Sequence, residues 1–436
     1  MAWRETTMSE ILIPREDRFK APDPAIAKLE RIEKIDFSGN VVISKKSSKT
    51  DMIVVHPGDF VISGINVAKG AMAIFQGVKP VKATIHYSSY TLNDDVINVE
   101  YLKRFLKSPI FIELLKDQVP GGIKTEIKPK HLLPLKIQLP GLDEQKAILN
   151  RFLNTEEEYK CLTTEIEKQK KILAKYRQAI LQEAIEGKLT EDWREQNPDV
   201  EPAAELLKRI AEEQKKVSRE GAKTRRKQNP LPEIRSDEIP FDIPESWQWC
   251  RFVQVADIKS NLVDPKEYPD SPHIAPNNIE KNTGKLLKYR TVSEDEVMSA
   301  NHLFFPNQLI YSKVRPQLNK ICHVDFSGLC SADMYPIESD IEQSFLKKCM
   351  LASYFLDEVA KFDNRVKMPK VNQNQLNSIP IPLPPLTEQR EIVRRVESKF
   401  ALCDQLEAQI NASAHTAETL SAAILQELFD QKGGEG

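Results

Sequence analysis

The chain has 436 residues, enough for about three domains of ordinary size, and its formal net charge of −2 excludes a uniformly polycationic nucleic-acid binder. Six cysteines with no C-x-x-C spacing, no opening signal peptide and no apolar run of membrane-spanning length point to a reduced, cytoplasmic protein. Charge is uneven along the chain: residues 1–140 carry five more cations than anions and residues 141–232 one more, while residues 233–382 and 383–436 each carry four more anions.

Residues 1–140 read as mixed α/β. Asn40 to Ser44 and Met52 to Val55 are β-branched runs, His56-Pro57-Gly58-Asp59 is a turn, and Phe60 to Ser63 resumes a strand. Lys69-Gly70 breaks before a further run, Ala71 to Phe75. Val99 to Gln118 has a helical pattern through Leu102, Phe105, Leu106, Phe111, Leu114 and Leu115, ended by Pro120-Gly121-Gly122. A long helix is expected from Leu142 to Glu186, with Asp143 and Glu144 suiting the positive end of its dipole and Gly187 stopping it. Leu189 to Val200 reads as a connector. Glu201 to Glu220 is a shorter charged helix with Pro202 at its first position, and the basic stretch Gly221 to Pro232 is a linker. A second globular block runs from Phe241 to Pro382, and a second long helix continues to about Asp430.

The two long helices are copies. LPGLDEQKAILNRF at Leu139 returns as LPPLTEQREIVRRV at Leu383, and AILQE at Ala179 returns at Ala423, both at an offset of 244; 15 of the 50 positions from Leu139 to Lys188 are identical without a gap. Such a period means one structural unit used twice. Ile148, Phe152, Tyr159, Leu162, Ile166, Leu173, Tyr176 and Ile180 lie on alternating steps of four and three, with Thr155 and Gln169 in the gaps. Ile392, Val396, Cys403, Leu406, Ile410, Ala417, Leu420 and Ile424 repeat the seam, with Lys399 and Ser413 in the gaps. Two such heptad helices, each roughly 60–70 Å long, are expected to pair with each other. The globular blocks echo more loosely: PGDFVIS at Pro57 parallels PNQLIYS at Pro306, and LKRFLKSPIFIELL at Leu102 parallels LKKCMLASYFLDEV at Leu346. The expected order is globule, helix, linker, globule, helix, with approximate two-fold symmetry and antiparallel helices.

No catalytic constellation is present: no Walker loop, G-x-G-x-x-G, H-E-x-x-H or G-x-S-x-G, and neither Asn197-Pro nor Asn229-Pro continues into the Pro-aromatic pair of amino-methyltransferases. Cys322-His323 with Cys330 fits no zinc spacing and reads as structural. Recognition chemistry remains. Lys313, Arg315, Asn319 and Lys320 gather on a loop leaving a strand, and Arg365, Lys367 and Lys370 follow in a second polar string; in the first block the counterparts are Ser63, Asn66 and Lys69, then Lys124, Lys128 and Lys130. Cations can contact phosphates or guanine edges, and amides can pair with adenine. The basic run Lys223 to Lys227 reads as a solvated linker, and Trp193, Trp247 and Trp249 as packing anchors at segment junctions.

The strings LPGLDEQKAIL, SIPIPLPPLTEQREIVRRVE, YRQAILQEAIEGKLTEDWREQNPD, IPESWQW and YSKVRPQLNK resemble the DNA specificity subunits of type I restriction–modification systems, and together they span the framework of nearly the whole chain. The resemblance implies a mixed α+β chain in which two α/β target recognition domains, residues 1–140 and 233–382, are separated by two long antiparallel coiled-coil helices. These helices belong to a central region, 141–232, and a distal region, 383–436. It implies that each domain reads half of a split double-stranded DNA target, and that the helices dock two methyltransferase (modification) subunits, joined by restriction (translocase and nuclease) subunits. The chain itself would be non-catalytic and hold no cofactor, with S-adenosylmethionine, ATP and Mg²⁺ belonging to the partners. Two departures stand out: only Trp3-Arg4 echoes IPESWQW in the first block, and GKLTEDWRE occurs once. A coiled-coil scaffold without DNA specificity and the recognition half of a split restriction–methylation enzyme are the rival readings.

Overall fold

The duplication continues from the sequence into the backbone. In the computed structural model, which describes residues 3–45, 49–66, 69–118, 127–220, 233–362 and 369–429, strand Arg4–Thr7 pairs antiparallel with Lys136–Leu139. At an offset of 244, Gln248–Arg251 pairs with Pro380–Leu383 in the same register: Arg4 faces Leu139, and Gln248 faces Leu383. The short helices Met8–Ile11 and Phe252–Val255 and the strands Leu12–Pro14 and Ala256–Ile258 follow at the same spacing. The chain divides into two compact units, Met1–Glu167 with Asn411–Gly436, and Lys168–Ile410. Each unit therefore contains one globular lobe and a part of both long helices.

Each lobe is mixed α/β and, beside that two-stranded pair, holds two larger sheets of matching topology. In the first, a four-stranded sheet runs Leu12–Pro14, Tyr87–Leu92, Phe60–Ser63, Met72–Ile74, and a five-stranded sheet runs Arg18–Phe19, Met52–Val55, Val81–Thr84, Arg31–Ile35, Val41–Ser44. In the second, the orders are Ala256–Ile258, Met334–Ser339, Gln308–Ser312, Ile321–Val324, and Leu262–Val263, Asn301–Phe304, Gly328–Cys330, Pro272–Ile274, Arg290–Thr291. One parallel pair occurs at the same place in each five-stranded sheet, Arg31–Ile35 with Val81–Thr84 and Pro272–Ile274 with Gly328–Cys330. Phe60–Ser63 is buried along its whole length because successive side chains enter different cores: Phe60 and Ile62 join the cluster around the lobe's helices, and Val61 joins one with Val55, Phe75 and Ala83. A strand covered on both faces reads as a continuous apolar run instead of an alternating one.

The expected helix over Val99 to Gln118 is two helices, Val99–Phe105 and Pro109–Gln118. Pro109 has no N–H to continue the ladder and pushes Ser108 out of helical geometry; the Ser108 hydroxyl then accepts from the Phe111 N–H at 3.2 Å. The second lobe breaks at the equivalent residue, Ala352, between Gln343–Leu351 and Ser353–Ala360. The long helices span Leu142–Ile185 and Leu386–Glu427; Asp430, the expected end of the second, lies outside the described residues. Gly187 ends the first with φ +76°, a conformation open to glycine.

Within each unit the helix segments run antiparallel. In the first, Phe152 near one helix start packs its ring 5.9 Å from that of Phe429, just past the end of the other helix. In the second, Arg177 donates to Asp404 and to Glu407 at 3.2 Å, and Arg395 donates to Asp192 at 2.6 and 3.0 Å. Beyond Ile148 and Ile392, which are buried near the helix starts, the seam is covered on one row only. Ile166, Leu173 and Ile180 are buried, as are Val396, Cys403 and Ala417, one residue per heptad. The other row, Leu162 and Tyr176 on one helix and Leu406 and Leu420 on the other, is 46 to 58% exposed. The helices thus present a wider apolar face than the pair itself covers.

Both long helices are tied to their lobes by a buried glutamine. Gln145 Nε2 donates to Pro140 O and Val96 O, each at 2.8 Å, and its Oε1 accepts from the Asn98 N–H at 2.7 Å. Gln389 repeats this with Pro384 O at 2.8 Å and the Glu342 N–H at 2.9 Å. The adjacent acids differ. Glu388 is wholly buried and accepts from Thr190 Oγ1 (2.7 Å), Arg194 Nη1 (2.6 Å) and Trp247 Nε1 (2.8 Å). Its counterpart Glu144 is exposed. Leu189 to Val200 is therefore more than a connector: helix Glu191–Gln196 and the turn before it brace the start of the second long helix.

Removing a buried charge from its partners costs about 3–5 kcal/mol. Glu388→Ala should destabilise the second unit by that order in thermal or urea unfolding; a loss below about 1 kcal/mol would show that the brace is not structural. Neighbouring Glu391 is held at a pKa of about 2, chiefly by hydrogen bonds from Arg394 and next from Arg395, against its burial. A carboxylate easier to ionise when folded contributes fully above its ordinary range near 4.5 and loses that contribution as pH falls toward 2. Arg395→Met should make the acid limb of a stability profile shallower over that window.

Candidate nucleic-acid interface

The two candidate loops leave equivalent strands and are held by equivalent main-chain bonds. In the first lobe the Ser63 N–H donates to Ala71 O (2.9 Å), Gly64 N–H to His86 O (2.9 Å), and Ile127 N–H to Gly64 O (2.8 Å). In the second the Ser312 N–H donates to Lys320 O (2.9 Å), Lys313 N–H to Asp333 O (3.0 Å), and Val371 N–H to Lys313 O (3.0 Å). The turn before each strand is capped alike, by Asp59 Oδ2 accepting from the His56 N–H at 2.9 Å and by Gln308 Oε1 accepting from the Phe305 N–H at 3.0 Å. A positive φ recurs at the end of the loop, +93° at Gly70 and +41° at Asn319. At Gly70 a Cβ would lie 2.8 Å from Phe37 O, so glycine is required there.

Because main-chain groups supply these bonds, side chains on the loops are free to differ, and they do. Lys313 is half-buried over the Tyr335 ring, 4.8 Å from its centroid. Burial holds its ammonium below the ordinary lysine range; Lys370 pushes the same way and Asp333 opposes. Lys370 donates to Asp333 Oδ1 at 2.9 Å. Arg315 is exposed and adopts φ +47°, which is unusual for a residue with a side chain. The second loop therefore gathers two cations, Lys313 and Lys370, around one carboxylate, with Arg315 exposed two residues on and buried His302 next to Lys313, its own basicity lowered by burial and by that lysine. In the first lobe Gly64 takes the place of Lys313 and Asn66 that of Arg315. Lys69 is exposed with its ammonium 5.8 Å from the Phe37 ring centroid, and Lys128 and Lys130 are exposed at the helix Pro129–Leu132.

Other expected residues are elsewhere. Ser63 is buried and holds the loop by its backbone. Asn319 is fully buried, with no hydrogen-bond partner for its amide among the described residues, so it faces the interior. Lys320 is half-buried and donates to Pro276 O at 2.5 Å. Lys124, Arg365, Lys367 and the basic run Lys223 to Lys227 lie outside the described residues. No spacing in the sequence marks His86, Asp333 and Tyr335, which reach the loops from the neighbouring strands Tyr87–Leu92 and Met334–Ser339 or from the turns just before them; only strand pairing brings them there. Cys322 and His323 are successive residues of strand Ile321–Val324, buried and exposed respectively, so they point to opposite faces. Among the described residues no group of three His, Cys, Asp or Glu side chains could hold a metal, and no helix is long and apolar enough to cross a membrane.

Comparison with known proteins agrees with this architecture. Residues 244–415 match the model of the type I restriction modification DNA specificity domain. The chain is 37% identical over 350 residues to the specificity subunit of the type I restriction enzyme EcoDI of Escherichia coli, covering 80% of this chain and 73% of that one. It superposes on the HsdS subunit from Thermoanaerobacter tengcongensis with a TM-score of 0.55 at 16% identity, covering 98% of this chain and 96% of the other. A chain from a study of complex assembly and conformational transition in a type I R-M system gives 0.57 at 15% identity, covering 98% and 97%. With two matching lobes, paired long helices and this kinship, the chain belongs to the type I restriction–modification DNA specificity subunits, the non-catalytic, sequence-specific DNA-binding members of those complexes.

Proposed function

We propose that the chain reads a bipartite double-stranded DNA target, one lobe per half-site, through the loops Ser63–Gly70 and Ser312–Lys320, and that its long helices dock two methyltransferase subunits. The observation that carries this reading is the pair of loops: one backbone frame, built twice, with different exposed side chains. A single reader would need one such loop, and a mere scaffold would need neither. The exposed row of Leu162, Tyr176, Leu406 and Leu420 supports the docking half of the proposal, since it is apolar, repeated, and wider than the helix pair can cover. Restriction subunits join that core, and S-adenosylmethionine, ATP and Mg²⁺ act in the partners. Residues 1–140 and 233–382 are the recognition domains of this scheme, and 141–232 and 383–436 the regions that hold them. The weak net charge is accommodated if partner subunits share the task of neutralising phosphates.

The deciding experiment is genome-wide mapping of N6-methyladenine in a host carrying this gene and its modification subunit, against a deletion of this gene. A two-part motif with a fixed gap that vanishes in the deletion is the expected result; unchanged methylation would leave the scaffold reading. Replacing Lys313, Arg315 and Lys370 by Gln should weaken DNA binding by the assembled complex and lower the slope of log affinity against log salt by up to about 0.9 for each phosphate no longer neutralised. An unchanged slope would show that none of these cations neutralises a phosphate. Leu162→Lys with Leu406→Lys should cut affinity for the modification subunit about tenfold or more, as removal of two interface anchors does, while thermal stability stays within about 0.5 kcal/mol, as for surface substitutions. Retained assembly would place docking elsewhere.

A further inference from the structure

We propose that the two loops read different bases: the first lobe recognises A·T pairs, with Ile65 and Ile85 against thymine methyl groups and Asn66 on adenine, and the second recognises guanine through Arg315. This rests on the reading of the loops as base readers given above.

The bond from the Gly64 N–H to His86 O clamps two segments side by side, and the residues next to that clamp, Ile65 and Ile85, are 56 and 43% exposed. Two branched apolar side chains at a loop tip cost hydration in the free protein and gain only when an apolar group covers them. On the edges of DNA bases in the major groove, the C5-methyl of thymine is the apolar group available. Asn66, half-exposed beside Ile65, has the donor and acceptor that match the N7 and N6 of adenine. In the second lobe Val314 stands for Ile65, half-buried and bridged to Lys370, and Ala332 stands for Ile85. The apolar tip is absent there. Arg315 replaces Asn66, and a guanidinium matches the two acceptors O6 and N7 of guanine. The left-handed backbone at Arg315 directs an exposed arginine from a position that most residues avoid.

The test uses the complex of this chain with its modification subunits. A bipartite target is selected from a randomised duplex library and resynthesised with deoxyuridine for thymidine, or 7-deazaguanine for guanine, in one half at a time. Deoxyuridine in one half should weaken binding about fourfold per methyl group engaged, and Ile65→Ala with Ile85→Ala should abolish that sensitivity. In the other half, 7-deazaguanine should weaken binding about tenfold, and Arg315→Ala should abolish that effect. The proposal is overturned if the half that responds to the isoleucine variants ignores deoxyuridine, or if the Arg315 variant leaves the 7-deazaguanine penalty intact. If no bipartite target is enriched at all, the reading of the chain as a two-part DNA reader fails, and this proposal fails with it.

Discussion

A buried amide at the start of each long helix is the interaction on which the rest depends. Gln145 and Gln389 reach back to the carbonyls of Pro140 and Pro384 and forward to the first N–H of a lobe helix. Each joins three segments: the strand that closes the lobe, the N-cap of the helix Val99–Phe105 or Gln343–Leu351, and the long helix. Left unpaired, a buried amide is costly, so the geometry is all or nothing. This accounts for the identity of the glutamine in the two copies while residues around it drift. The glutamine makes the joint in both. The glutamate is put to use in the second alone, where Thr190, Arg194 and Trp247 surround it.

The joints differ in another way. In the first unit Arg104 lies over the Phe152 ring, 4.8 Å from its centroid, and pairs with Glu156 at 3.4 Å. In the second, Lys348 takes the place of Arg104 and Phe400 that of Glu156; Lys348 and Arg177 both lie 5.2 Å from the Phe400 ring centroid. A cation over an aromatic face thus holds each lobe to its helix, in one case with a charge pair beside it and in the other with the lysine largely buried. The same frame tolerates both solutions because the backbone register is set elsewhere.

Much of this was legible in the sequence. The offset of 244 located the duplication, and the steps of four and three located the helices to within a few residues. Legibility ended where a feature depends on what lies across from it. The heptad pattern marked both rows of the seam as core, yet beyond Ile148 and Ile392 only one row is covered, since a residue's partner is not written in its own spacing. Ser108-Pro109 did mark a helix break, but the strong apolar periodicity on either side masked it. Asn319 looked like a recognition amide because it follows Lys313 and Arg315; its left-handed turn directs it inward. His86 and Asp333 were invisible because a strand pairing, fixed only on folding, carries them to the loops.

The loops' reliance on main-chain bonds has a consequence for how such a protein changes over time. A side chain at Asn66 or Arg315 contributes little to holding its own loop, so most replacements there are close to neutral for folding. Mutation can therefore exchange side chains at these positions without first eroding stability. The grammar, in Gly70, the clasping glutamines and the paired strands, stays fixed. In such an arrangement the words are cheap to rewrite and the syntax is not.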